Sequence, residues 1–141
     1  MTSGPRASGA PVRDRDMPLW NDLGPIGLGV LGGLALAGAF PPWNIAPLAV
    51  IGPALLVLAL RGRRAFLRGA VGLAFGVSFF GALLSWAGLF GLHAWSLLTL
   101  GEAAFAGALG VAAGPVLAAG RPLVAAAGWA GLWILVMEVA R

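Results

Sequence analysis

The chain has 141 residues, of which 60% are hydrophobic and 10% charged, against about 25% charged in an ordinary soluble domain. So few charged side chains cannot cover the surface of a soluble globule, and so apolar a chain does not stay disordered over its length. The net charge is +4, carried by nine arginines, and there is no cysteine, no lysine, no tyrosine and one histidine, His93, which excludes thiol, amine or histidine-pair chemistry within these residues.

Residues 1–22 are rich in Pro, Gly, Ser and Arg and read as a flexible cytoplasmic tail, in which Arg6, Arg13 and Arg15 are offset by Asp14, Asp16 and Asp22. Five apolar runs follow, at 23–40, 45–60, 69–92, 95–119 and 123–139. A membrane span needs about 20 apolar residues, so each run is a candidate span and 23–141 reads as one transmembrane domain. The PPWN at 41–44 breaks the first run, Pro47 and Pro53 complicate the short second one, and Arg121-Pro122 precedes the fifth. Lipid offers no partner for free backbone groups, so each span must be helical. Long continuous runs without ten-residue alternation argue against a β-barrel. The expected fold is all-α: a polytopic transmembrane helix bundle of about five spans. A competing reading makes the first run a signal peptide cleaved near Ala35 and Ala37; the agreement of the later loops favours a retained span.

Orientation follows from the arginines. Arg61, Arg63, Arg64 and Arg68 lie between the second and third runs, Arg121 lies between the fourth and fifth, and the other two loops carry no charge. The positive-inside rule places the arginine loops and the N-terminus in the cytoplasm. Arginines gathered between apolar runs suit the anionic inner membrane face rather than a nucleic-acid groove. Trp20, Trp43 and Trp95 fall near proposed span ends, where indoles favour the interface.

Polar groups inside the runs are few. Glu102 lies within the fourth; a carboxylate there costs on the order of 3 kcal/mol on insertion scales, so it is expected to face the bundle, a lipid or substrate cleft, or the outer headgroup layer. Glu138 and Arg141 are three apart, share a helix face and suit an ion pair at the membrane edge. These three are the candidates for polar roles in a lipid cleft. The RGRRAFLR cluster reads as a topology anchor, and alternatively as a docking patch for anionic lipid or a cytoplasmic partner. His93 reads as structural, Ser78, Ser85 and Thr99 as bonded to their own helix carbonyls, and Trp129 with Trp133 as a packing or lipid-facing pair. Three pairs have GxxxG spacing: Gly29/Gly33, Gly72/Gly76 and Gly110/Gly114. With 23 glycines, chance supplies about three or four such pairs, so they signify general helix packing and not a dimer motif. No metal or cofactor ligand set is present in the sequence.

The residues also carry a family resemblance. The run GAFPPWNIAPL at 38–48, the arginine loop with RGAVGLAFG at 68–76, then Phe79-Phe80-Gly81 and Trp86, and finally Leu132-Trp133 with Glu138-x-x-Arg141, together resemble the membrane region of bacterial apolipoprotein N-acyltransferases. The last motif departs from the family pattern: Trp133 precedes Glu138 by five residues instead of four. The resemblance covers about residues 23–141. It implies a multi-pass protein of the bacterial plasma membrane that takes part in acyl transfer from phospholipid to the free amine of a lipoprotein. It also implies a nitrilase-like domain, with a Cys nucleophile, a Glu base and a Lys, that would lie outside these residues. None of those catalytic groups has a counterpart here, so no catalytic residue is carried over. The implied role is a membrane anchor that helps form a lipid-accessible cleft for a separate catalytic domain. An alternative is a non-enzymatic scaffold for a polyprenol-phosphate mannosyltransferase or another partner. A small transporter subunit is a third reading, weakened by the scarcity of intramembrane charge.

Overall fold

The computed structural model describes residues 20–118, which form four α-helices and one 3-10 helix, with no strand among them. The helices are α1 (Trp20–Gly38), α2 (Leu48–Leu60), α3 (Ala65–Leu83) and α4 (Leu92–Ala118); the 3-10 helix Ser85–Phe90 joins the last two. Residues 20–22, expected in the flexible tail, instead form the first turn of α1; the tail's residues 1–19, Arg121, the run at 123–139, Trp129, Trp133, Glu138 and Arg141 lie outside the described residues.

Consecutive helices run antiparallel, and α3 is packed between α1 and α4. Glycine decides where they cross. A Cβ on Gly32 of α1 would lie 2.9 Å from the Gly52 carbonyl oxygen of α2, and one on Gly52 would lie 2.7 Å from that of Gly32. Gly29 faces the Val71 carbonyl of α3 at 2.8 Å, and Gly33 faces Phe75 and Ser78. On the other side of α3, Gly72 meets the Ala106 carbonyl, Gly76 meets Ala103, and Gly110 and Gly114 of α4 lie against Arg68. All three GxxxG pairs therefore occupy crossings inside one chain, the general packing role expected of small residues in lipid-suited bundles. Around these crossings a small core closes from Leu56, Leu60, Val71, Phe75 and Phe79 with alanines 37, 59 and 113.

The helix ends explain why the apolar runs and the helices differ. At the end of α1, Ala39 and Phe40 donate to Leu36 and Ala37, and Asn44 and Ile45 donate back to Phe40 and Gly38. Asn44 takes the left-handed conformation, φ 52°, which Asn tolerates better than most residues. This hydrogen-bonded turn delays α2, so the second helix begins at Leu48 after Pro47, not at residue 45. Its 13 residues reach about 20 Å, short of a hydrocarbon core of about 30 Å. The expected third span is corrected most. Residues 69–92 do not form one helix: α3 starts four residues earlier and stops at Leu83, where Leu84 turns back to Phe80. The 3-10 helix then ends at Gly91, φ 106°, a conformation costly for any residue with a Cβ. The fourth helix begins at Leu92, ahead of the expected 95.

Among the described residues two helices, Ala65–Leu83 and Leu92–Leu117, are long and apolar enough to cross a membrane; Asp22–Gly38 and Leu48–Leu60 are apolar but shorter. The described residues are thus all helical, and of the four expected spans they cover, two meet the length requirement.

Candidate functional site

The arginine turn and a group of exposed aromatic side chains lie at opposite ends of the bundle, although Phe66, beside the arginines, is exposed too. At one end, the turn from α2 to α3 is built from Arg61, Gly62, Arg63 and Arg64. Gly62 supplies the positive φ of 66° that reverses the chain, while Arg61 and Arg64 flank the helices in extended conformation. Arg61, Arg63 and Arg64 are exposed. Arg68, expected in the loop, is instead in the first turn of α3 and half-buried. Its Nη1 donates to the Arg63 carbonyl at 2.7 Å, its guanidinium lies over Gly114 of α4, and its buried Nε has no hydrogen-bond partner. The absence of side chains at Gly110 and Gly114 makes room for this stem and head. The four arginines thus divide into three at the surface and one that joins α3 to α4, a long side chain turning its charge toward the helix ends.

At the other end the described residues include no Arg, Asp or Glu. The turn after α1 exposes Phe40, Trp43 and Ile45, and the 3-10 helix exposes Trp86, Leu89 and Phe90. His93 is exposed in the first turn of α4, where its carbonyl accepts from Ser96 Oγ at 3.2 Å. Trp95, expected as an interfacial anchor, is half-buried, and its indole Nε1 donates to the Gly81 carbonyl at 3.1 Å. That bond ties the start of α4 to the end of α3 and holds the intervening residues in place. Sequence spacing gave no sign of it, because the acceptor is a backbone carbonyl 14 residues away.

Between the ends, Glu102 sits on α4 and is exposed. It lies at the flank of the stripe Thr99, Ala103, Gly107 and Gly110, which faces α3. Glu138 and Arg141 lie outside the described residues, so of the three cleft candidates only Glu102 is described. Among the described residues no group of His, Cys, Asp and Glu could hold a metal ion.

The hydroxyl expectation divides. Ser78 Oγ donates to the Phe75 carbonyl at 2.9 Å, as expected. Ser85 is exposed at the start of the 3-10 helix and makes no such bond. Thr99 is 3% exposed, and its Oγ1 has no hydrogen-bond partner; its methyl faces Gly81. A buried hydroxyl without a partner costs about 1–3 kcal/mol, and valine has nearly its shape. Thr99→Val is therefore expected to raise stability by about 1 kcal/mol. Equilibrium unfolding in detergent checks the sign; a loss would show that the hydroxyl is satisfied in the folded protein.

The comparisons with known proteins add one family. The model of the apolipoprotein N-acyltransferase N-terminal domain matches residues 32–141, which takes in the last two turns of α1, all of α2 and both helices of spanning length. No curated protein matches the chain.

Proposed function

Because the chain belongs to the apolipoprotein N-acyltransferase N-terminal domain family, we propose that it is the membrane domain of an apolipoprotein N-acyltransferase-like protein, serving N-acyl transfer from phospholipid to lipoprotein. The family match carries this reading. The packing of the described residues supports it: they are all helical, include two helices of spanning length, and place an end without Arg, Asp or Glu opposite the arginine turn. The turn at 61–64 faces the cytoplasm of a bacterial plasma membrane, the N-terminus lies on the same side, and the aromatic end faces outward. A thiol nucleophile has to come from outside these 141 residues, which contain no cysteine. The chain's own contribution is to hold that chemistry against the bilayer, with Glu102, Glu138 and Arg141 as the ionisable groups of a lipid-accessible cleft.

A second reading rests on the exposure of Arg61, Arg63 and Arg64: this surface docks a cytoplasmic partner, such as a polyprenol-phosphate mannosyltransferase, that the domain anchors. Deleting the gene separates the two. Under the first reading, mass spectrometry of lipoprotein N-termini shows the loss of one acyl chain, while membrane synthesis of polyprenol-phosphate mannose is unchanged. The reverse pattern supports the scaffold, and no change in either measurement rejects both. The purified 141-residue chain is expected to form no covalent acyl-protein intermediate from labelled phospholipid, since it has no thiol nucleophile; labelled covalent acyl-protein stable to detergent extraction would overturn that expectation.

A further inference from the structure

We propose that the 3-10 helix and the turn after α1 form one apolar rim that is seated in the bilayer interface of the leaflet opposite the arginine turn. The occupant of this surface is lipid, at the level of the glycerol and first acyl carbons. The proposal rests on the membrane reading given above and assigns a depth and a partner to segments that the family match does not interpret.

The two segments are held as one unit. The Phe40 ring packs against Phe79 of α3 with centroids 5.7 Å apart, and Phe79 packs on Phe80 at 4.8 Å. Both residues belong to the last turns of α3, where the 3-10 helix begins. The Trp95–Gly81 bond closes the far side of that segment onto α3, and Trp86 meets Phe90 edge-on at 6.2 Å. So fixed, the outward side chains are apolar and open: Leu89 is 88% exposed, Phe90 76%, Leu92 71% and Trp43 62%. Water is a poor partner for that much fixed apolar surface, and large patches of this kind mark interaction sites.

Charge and depth select lipid over protein. From residue 39 to 60 and from 69 to 101 there is no Asp, Glu or Arg, so the patch lacks the charged, solvent-accessible surround of a water-facing protein-binding surface. The rim also continues the exposed apolar flank of α4, through Leu97 and Leu100. Its distance from the arginines matches a bilayer: the 19 residues of α3 span about 28 Å, close to the roughly 30 Å of a hydrocarbon core. With Arg63 and Arg64 at one headgroup boundary, the 3-10 helix falls at the other. The backbone excludes a deeper position. A 3-10 helix between two turns leaves peptide groups without helical partners, which lipid-exposed hydrocarbon does not tolerate but the interface does. Trp and Phe with exposed Asn44, Ser85 and His93 alongside are the mixture that suits that zone.

The chain's lack of cysteine makes the test direct. Single-cysteine variants Phe90→Cys, Trp43→Cys and, at the opposite turn, Arg63→Cys are made in the full chain and labelled with an environment-sensitive fluorophore. They are reconstituted in phosphatidylethanolamine–phosphatidylglycerol vesicles, with iodide on both sides. Flotation with the vesicles tests membrane residence separately. If the proposal holds, the labels at 90 and 43 are blue-shifted, quenched severalfold more by shallow nitroxide-labelled lipid than the label at 63, and sheltered from iodide. Iodide quenching at 90 equal to that at 63 would overturn it, because the rim would then face water. So would shelter from both quenchers, which means protein cover; dependence of that shelter on protein-to-lipid ratio would identify a second copy, and independence would identify the chain's own continuation. Failure to float removes the membrane reading itself.

Discussion

Replacing Gly72 with leucine is expected to separate α3 from α4 and cost the fold at least about 3 kcal/mol, the upper end of overpacking penalties. A Cβ at this position would press on the Ala106 carbonyl and crowd the Gly107 Cα at 3.2 Å. Both obstacles are backbone, so no side-chain rotation relieves them and the helices themselves must move apart. The neighbouring crossing at Gly76 is equally closed, with the Ala103 Cα 2.7 Å from where a Cβ would stand. Once the helices part, close contact is lost along the whole stripe from Arg68 to Gly81, because the packing of a membrane helix pair depends on short approach more than on hydrophobic burial. A glycine on the partner helix α4, but away from the crossing, provides the control. Gly101 has nothing within 4 Å of a built Cβ, so Gly101→Ala is expected to stabilise α4 by about 0.5–1 kcal/mol through helix propensity. Equilibrium unfolding in mixed micelles measures both. Equal effects at the two positions would mean that the α3–α4 crossing does not hold the fold together.

The double change Arg63→Glu with Arg64→Glu is expected to disturb membrane insertion and reduce the fraction of chains with the turn in the cytoplasm. Four arginines at 61–68 become two arginines and two glutamates, so the local charge falls from +4 to zero. Each basic residue near an anionic surface contributes about 1 kcal/mol, and the loss should be visible in reporter fusions placed at the two chain ends. Damage to the helices is not the expected cause. The Arg68 guanidinium is held by the Arg63 carbonyl, not by its side chain, and an acidic residue at position 64, just before α3, favours the helix N-terminus. Arg63→Gln with Arg64→Gln should have an intermediate effect. Unchanged orientation in the glutamate pair would show that the turn's charge does not set the topology.

Several features of the fold were legible from residue chemistry. The apolar composition and the PPWN break give an all-helical chain with a turn after the first helix. The arginines mark one end of the bundle, and the motifs at 38–48 and 68–86 led to the family that the comparison supports. The helix limits were less legible, because hydropathy does not report backbone conformation. Residues 84–92 continue the apolar run of α3, yet within them Ser85–Phe90 forms a separate 3-10 helix that Gly91 ends and Trp95 fixes.

Composition, charge placement and helical class depend on side chains taken one at a time or with near neighbours, and so are readable before any packing is known. Tertiary structure decided the rest. Glycines common enough for GxxxG pairs to arise by chance become specific once Gly32 meets Gly52 and Gly72 meets Ala106. Arg68 leaves its cluster because Gly114, far along the chain, has no side chain to keep the guanidinium off α4. Thr99 Oγ1 lacks a partner because α4 turns it into the packed side of the helix. In each case the deciding contact joins residues distant in sequence, and close approach of two backbones depends on what is missing from both surfaces at once.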